Sequence, residues 1–263
     1  MGSSHGLANR NLQFMLSKNR IKYIQSLHQK KYRKNYQQFI AEGTKIVAEA
    51  LQQRKYKVDT VYALEEWINN EVFLDRDIRY QQVSSKDLKR ISTLRTPNQV
   101  LAVLRMPEDV AVANSPEDDL HLVLEDIQDP GNLGTIIRIA DWFGICQIYC
   151  STTCVEYTNP KVIQSSMGSF LRVGLQYTDL IDLLKKHKTV PRYGAVLQGQ
   201  NIYENSLEPK GFLVIGNESK GLSDELAGVL SNHISIPQYG RAASLNASVA
   251  TGILCAYFRT TRS

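Results

Sequence analysis

Three short segments of this 263-residue chain place polar side chains in glycine-bearing turns that follow apolar runs. Residues 124–144, LEDIQDPGNLGTIIRIADWFG, carry Asn132 and Arg138 beyond Pro130-Gly131. Residues 212–223, FLVIGNESKGLS, carry Gly216, Asn217, Glu218 and Gly221, and residues 234–258 carry Ile236, Ser244, Leu245 and Asn246. Together they offer a permanently protonated guanidinium, one carboxylate, amides and a hydroxyl. The glycines let a backbone come close to a ligand. Each also has a plainer reading. Arg138 reads equally as a surface residue pairing with Asp141. Asn132, Ser223, Ser244 and Asn246 are good helix caps, whereas nothing local requires Glu218. Neither a G-x-G-x-x-G fingerprint nor a Walker loop is present.

Apolar runs at 120–124, 145–149, 193–197, 212–215 and 233–236 alternate with helical stretches at 134–143, 178–188 and 244–259. Strands of nearly continuous apolar residues alternating with helices predict a mostly parallel sheet covered on both faces. In such sheets ligands bind outside the carboxyl ends of the strands, where the three turns fall. Cys146, Cys150 and Cys154 do not have zinc spacing and no histidine accompanies them, so no metal is expected and the thiols read as reduced and buried or half-buried.

The N-terminal part has a different character. Residues 10–57 hold 12 basic and 2 acidic side chains, whereas residues 120–263 hold 12 of each. A local excess of this size neutralises phosphates and predicts affinity for nucleic acid; the plainer reading is a solvated helix face. A helix is predicted over 18–36, with Ile21, Ile24 and Leu27 on one face, and a second over 42–54. Tyr23, Tyr32 and Tyr36 lie among the basic residues and read either as base-stacking rings or as core. With strands at 58–62 and 100–104 this makes a small α/β domain over 10–106. Residues 107–118, with two prolines, several acids and few large apolar side chains, read as a linker to a domain over 119–263. The start, residues 1–9, reads as an expression-tag remnant without structure. No run reaches the roughly 18 to 20 apolar residues of a membrane span, so a cytoplasmic setting without membrane contact is expected.

The three segments, in this order and spacing, resemble the signature motifs of the SpoU family of RNA 2′-O-ribose methyltransferases, within the SPOUT superfamily, over nearly all of 120–258. The stretch with Ser166, Gly168, Ser169 and Arg172 is similar to a further family element, and residues 18–106 resemble the small substrate-binding domain that many members carry in front. The resemblance implies an α/β fold with a deep trefoil knot, a homodimer, and S-adenosylmethionine as cofactor. Leu197, Gly199, Gly216, Asn217, Gly221, Ile236, Leu245 and Asn246 match its cofactor-binding positions. Asn132, Arg138, Glu218, Ser244 and Asn246 match positions tied to catalysis. The implied substrate is structured RNA, with ribosomal RNA favoured over transfer RNA. Ser219, Ile139 and Gln238 depart from frequent family residues, and none of them removes a polar group from the set.

The chemistry implied is alignment of a ribose hydroxyl with an activated methyl group, plus management of one proton. A guanidinium keeps its proton, so Arg138 is expected to act by charge, on the phosphate beside the target ribose and on the developing alkoxide. The competing readings are a transfer-RNA enzyme, a non-catalytic RNA-binding or ribosome-assembly protein that kept the fold, and a phosphate-binding enzyme using 131–134 as an anion loop.

Overall fold

Ser17 opens the first helix by accepting a hydrogen bond from the backbone N–H of Arg20. The computed structural model describes residues 15–53, 55–70, 77–107 and 115–260. The tag-like start and most of the predicted linker lie outside them. The chain divides into two compact units, one ending at Pro107 and one starting at Glu108.

In the first unit the single helix expected over 18–36 is two, α1 (Lys18–Ser26) and α2 (Lys30–Tyr36). The apolar face of Ile21, Ile24 and Leu27 is buried as expected, but α2 has no aliphatic residue to extend it. Arg33 is buried at the corner, and its guanidinium donates to the carbonyls of Leu27 and His28 at 3.2 and 2.9 Å. It thereby satisfies acceptors that the end of α1 leaves open. Then follow β1 (Gln38–Glu42), α3 (Thr44–Gln53), β2 (Val58–Ala63), α4 (Glu65–Asn70), β3 (Arg79–Gln82), α5 (Ser85–Ile91) and β4 (Val100–Arg105). The sheet order is β1-β4-β2-β3, antiparallel except for β2 with β3.

The second unit contains β5 (Leu120–Leu124), α6 (Pro130–Trp142), β6 (Gln147–Cys150), α7 (Pro160–Ser165), β7 (Gly174–Tyr177), α8 (Leu180–Lys186), β8 (Arg192–Asn201), β9 (Gly211–Ile215), α9 (Asp224–Ala227), β10 (Asn232–Ser235) and α10 (Ala247–Thr260). Its six strands are all parallel, in the order β10-β8-β9-β5-β6-β7. Val123, Tyr149, Phe212 and Val214 pack with Leu180 and Leu184 of α8 and Leu226 of α9. Alternation along each strand turns the neighbouring residues to the other face, while α6 packs against α7 and α10. At the α6–α7 contact a Cβ on Gly134 would lie 2.8 Å from the Val162 carbonyl oxygen, so only glycine permits that approach.

The start of α6 corrects one expectation. Asp129, not Asn132, is the cap: its carboxylate accepts from the N–H of Asn132 at 2.8 Å, and Pro130 and Gly131 are already helical. An Asp-Pro pair is the usual sequence sign of such a start, since proline at the first helical position forfeits no hydrogen bond.

β5 buries all five residues, His121 among them, although histidine is polar. The imidazole lies 5.9 Å from the Tyr149 ring and 6.1 Å from the Phe212 ring, and neither ring nitrogen has a hydrogen-bond partner among the described residues. Burial pushes its pKa below the ordinary 6.5, against the opposing pull of Asp119 and Glu117. The unfolded chain therefore binds a proton that the folded one refuses. Stability from this group is complete above about pH 6.5 and is lost as the pH falls below it. Thermal melts should show a midpoint that drops between pH 7.5 and 5.5, and His121→Phe should flatten that dependence. A variant retaining the full wild-type slope would assign the acid sensitivity to other groups.

Candidate functional site

Sheet topology brings the first two motifs side by side. β5 and β9 are adjacent, with Leu124 opposite Ile215, and their carboxyl ends feed directly into 125–132 and 216–223. At this point the strand order reverses, since β6 and β7 extend to one side and β8 and β10 to the other. Two carboxylates that motif matching left out lock the turns together. Glu125 accepts from the Ser223 N–H at 2.8 Å and from its hydroxyl at 2.6 Å. The backbone carbonyl of Asp126 accepts from Asn217 Nδ2 at 3.0 Å, and the Asp126 carboxylate lies 3.6 Å from Lys220 Nζ. Ser223 also caps α9 by accepting from the N–H of Leu226, so its capping reading holds alongside the clamp.

Within the second turn, Asn217 Oδ1 accepts from the N–H groups of Ser219 and Lys220 at 2.9 and 3.2 Å, and the Gly221 N–H returns to the Asn217 carbonyl at 2.9 Å. Gly221 sits at φ 71°, where a side chain is strained. A Cβ on Gly216 would fall 2.5 Å from the Gly221 carbonyl group. The close approach expected at Gly216 is thus made by the turn's own backbone. Asn217, taken from the sequence as a cofactor contact, spends its side chain on building the turn.

The polar residues from the three motifs meet in one chain of hydrogen bonds. Asn132 Nδ2 donates to the Glu218 carboxylate, and Asn246 Nδ2 donates to Asn132 Oδ1 at 2.8 Å. Asn246 Oδ1 in turn accepts from the Ser248 N–H and hydroxyl at 2.9 and 2.6 Å and from the Val249 N–H at 3.3 Å. Donor and acceptor inventory fixes every amide orientation here. Glu218 can only accept, so Asn132 must turn its NH2 toward it and its oxygen toward Asn246. Asn246 must then present its own NH2, leaving its oxygen for the N–H groups that open α10. Asn246 is accordingly both the α10 cap and a link to Asn132. Ser244 is neither: it is exposed and makes no hydrogen bond among the described residues.

Arg138 stands apart from this chain of bonds. It is exposed, on α6, and pairs with nothing among the described residues. Its expected partner is engaged elsewhere, because Asp141 accepts from Arg172 Nη2 at 2.7 Å, from Arg172 Nε at 2.9 and 3.0 Å, and from the Ser169 hydroxyl at 2.7 Å. The surface ion pair that offered a plain account of Arg138 is therefore not formed. Ser169 and Arg172, singled out in the sequence as a separate element, are what occupy Asp141.

β8 departs from the simple strand expected over 193–197. It pairs with β10 at Tyr193 and Gly194, then again at Gln200 and Asn201, against four consecutive residues of β10. Residues 195–199 therefore pair with neither β10 nor β9. The excursion leaves the Leu197 side chain 69% exposed. Gly199 closes it, with its backbone so near that a Cβ would lie 2.7–2.8 Å from backbone atoms of His233 and Ile234, and its carbonyl accepts from the Ser235 hydroxyl at 3.0 Å. Ile236 follows half-buried, and Gln238 Nε2 donates to the carbonyls of Gly240 and Ala242 at 3.1 and 2.7 Å, cinching the loop. Leu245, 44% exposed, precedes the Asn246 cap. Leu197 in the β8 excursion and Leu245 before the α10 cap are thus apolar side chains left substantially exposed.

No group of three or more His, Cys, Asp or Glu able to hold a metal occurs among the described residues. The four cysteines are free. Cys154 serves the first motif structurally, its sulfur accepting from the Ile127 N–H at 3.2 Å and donating to the Leu124 carbonyl at 3.3 Å. No helix among the described residues is long and apolar enough to cross a membrane.

Comparison with known proteins assigns both units. Residues 119–256 match the SpoU rRNA Methylase family, and residues 18–102 match the MRM3-like substrate binding domain. The chain is 31% identical over 245 residues to the 23S rRNA (guanosine(2553)-2′-O)-methyltransferase RlmP of Bacillus subtilis, covering 91% of this chain and 96% of that protein. A TrmH-family structure from Porphyromonas gingivalis superposes with a TM-score of 0.85 at 36% identity, over 95% of this chain and all (100%) of that one. An AdoMet-bound rRNA methyltransferase from Sinorhizobium meliloti gives 0.80 at 27% identity, over 95% and 97%. With the motif order, the parallel sheet and the family match in agreement, the chain belongs to the SpoU rRNA methylase family.

Proposed function

We propose that this protein transfers a methyl group from S-adenosylmethionine to a ribose 2′-hydroxyl of structured RNA, with ribosomal RNA favoured as the substrate. The observation that carries the reading is the hydrogen-bond chain Asn246–Asn132–Glu218, which ties the three motifs together at the carboxyl edge of the sheet. The residues suit the cofactor: Leu197 and Leu245 are apolar yet substantially exposed beside turns built from Gly199, Gly216, Gly221 and Ile236, as a site for an adenosyl group requires. When bound, S-adenosylmethionine supplies a methyl group already activated by a sulfonium. The trefoil knot belongs to the same reading, with family resemblance as its support.

The protein's own part is positioning and charge. Arg138 contributes a planar guanidinium donor, and no side chain competes for it among the described residues. It binds the phosphate next to the target ribose and stabilises negative charge developing on the 2′-oxygen, while the proton leaves to that phosphate. Asn132, held in one orientation from both ends, and the exposed Ser244 hydroxyl orient the ribose. A homodimer is part of the proposal. Trp142 and Val249, on the mutually packed helices α6 and α10, are 84% and 50% exposed, which a second copy would cover. Free thiols and an RNA substrate suit the cytoplasm.

Three outcomes test this. With labelled S-adenosylmethionine and separated ribosomal and transfer RNAs, Arg138→Ala should lose at least about 100-fold in methyl incorporation, with cofactor affinity by calorimetry within about twofold. Full activity in that variant would remove Arg138 from the mechanism, and label confined to base atoms would refute the ribose assignment. Asn246→Asp keeps a good helix cap but sets an acceptor against Asn132 Oδ1. Its melting temperature should stay within a few degrees of wild type while turnover falls by about tenfold or more. Trp142→Glu should shift the protein toward monomer in sedimentation equilibrium, and an unchanged mass would exclude this face from the dimer.

A further inference from the structure

Residues 18–37 carry seven basic side chains and no acid. Their folding does more than expose charge. Ile21, Ile24 and Leu27 turn into the core, and Tyr23 packs at its margin with its hydroxyl donating to Gln38. Outward from Tyr23 the rings continue. Tyr36 meets Tyr23 edge to face at 5.2 Å, and Tyr32 lies 6.4 Å from Tyr36 with the two planes only 19° apart. Cations flank both ends, with the Arg20 guanidinium 4.7 Å from the centre of the Tyr23 ring and Lys31 Nζ 6.0 Å from that of Tyr32. Tyr36 is 49% exposed, and its hydroxyl makes no hydrogen bond among the described residues. Lys18, Lys22, Lys31 and Lys34 are exposed on the same two helices.

The sequence left these tyrosines open between core and base stacking, and the structure divides them. Tyr23 belongs to the core margin, whereas Tyr32 and Tyr36 form a nearly parallel pair at the surface. We propose that this pair is a stacking platform for an unpaired nucleotide, so that the first unit recognises RNA through a single-stranded loop or bulge rather than through duplex alone. Charge selects the polyanion. The rings select what a duplex withholds, because bases in A-form RNA are already stacked on each other and present no free face. Aromatic platforms beside basic side chains are the general solution for binding unpaired bases. The proposal deepens the RNA-methyltransferase reading and rests on it for the identity of the partner.

The test uses the full-length protein and two fluorescein-labelled probes, a 12-nucleotide oligouridylate and a blunt 12-base-pair RNA duplex, at fixed low salt. Wild type should bind both. Tyr36→Leu keeps apolar bulk without a ring and should weaken oligouridylate binding about tenfold while changing duplex binding less than twofold. Tyr36→Trp should restore single-strand binding. A double Lys31→Gln, Lys34→Gln variant should weaken both probes and lower the salt dependence of both. Equal losses on the two probes for Tyr36→Leu, no loss on oligouridylate, or equally strong competition by polyglutamate would overturn the platform while leaving methyl transfer to its own assay. Failure of wild type to bind either RNA would overturn the reading of the partner as RNA, and the platform with it.

Discussion

A carboxylate that can only accept hydrogen bonds sets the direction of everything around it. Glu218 fixes the amide of Asn132, Asn132 fixes that of Asn246, and Asn246 ends the series on the free N–H groups of α10. Reversing any member would put two acceptors or two donors face to face. The three residues lie 86 and 114 positions apart in the chain. Their meeting requires β5 and β9 to be neighbours and β10 to end near them, so the whole parallel sheet is in the service of this one set of bonds.

A second tier keeps the turns in place. Glu125 and Asp126 hold the 216–223 turn from the end of β5, and Asn217 braces it from within. Asp141, by accepting from Arg172 and Ser169, couples α6 to the segment that follows α7. The consequence is chemical as well as mechanical. With its only nearby acidic candidate on the helix committed, Arg138 pairs with no side chain among the described residues. A phosphate bound there meets a cation that need not first break an ion pair, so little of the binding energy is spent on rearrangement.

The two units differ along the same physical lines. The first concentrates cations on α1 and α2, next to rings left partly uncovered. The second is balanced in charge and concentrates directional polar groups at one sheet edge. Long-range attraction falls off over about 8–10 Å in physiological salt and carries no geometry, whereas hydrogen bonds carry geometry and little range. A substrate that is a long polyanion with one reacting hydroxyl calls for both.

What the sequence determined by itself follows from short-range rules. Continuous apolar runs marked β5 and β9 to within a residue, and helical periodicity marked the buried faces of α1 and α3. Motif order located Asn132, Glu218 and Asn246, and charge counting located the basic helices. Tertiary structure decided what depends on partners distant in the chain. β3, with no aliphatic residue, is a strand because β2 offers it an edge. The β8 excursion exists because β10 pairs with residues on both sides of it. The break between α1 and α2 rests on the burial of Arg33, and the freedom of Arg138 rests on Arg172 having taken Asp141. In each case residue type states what a side chain is able to bond, and only the fold decides which of the available partners it meets.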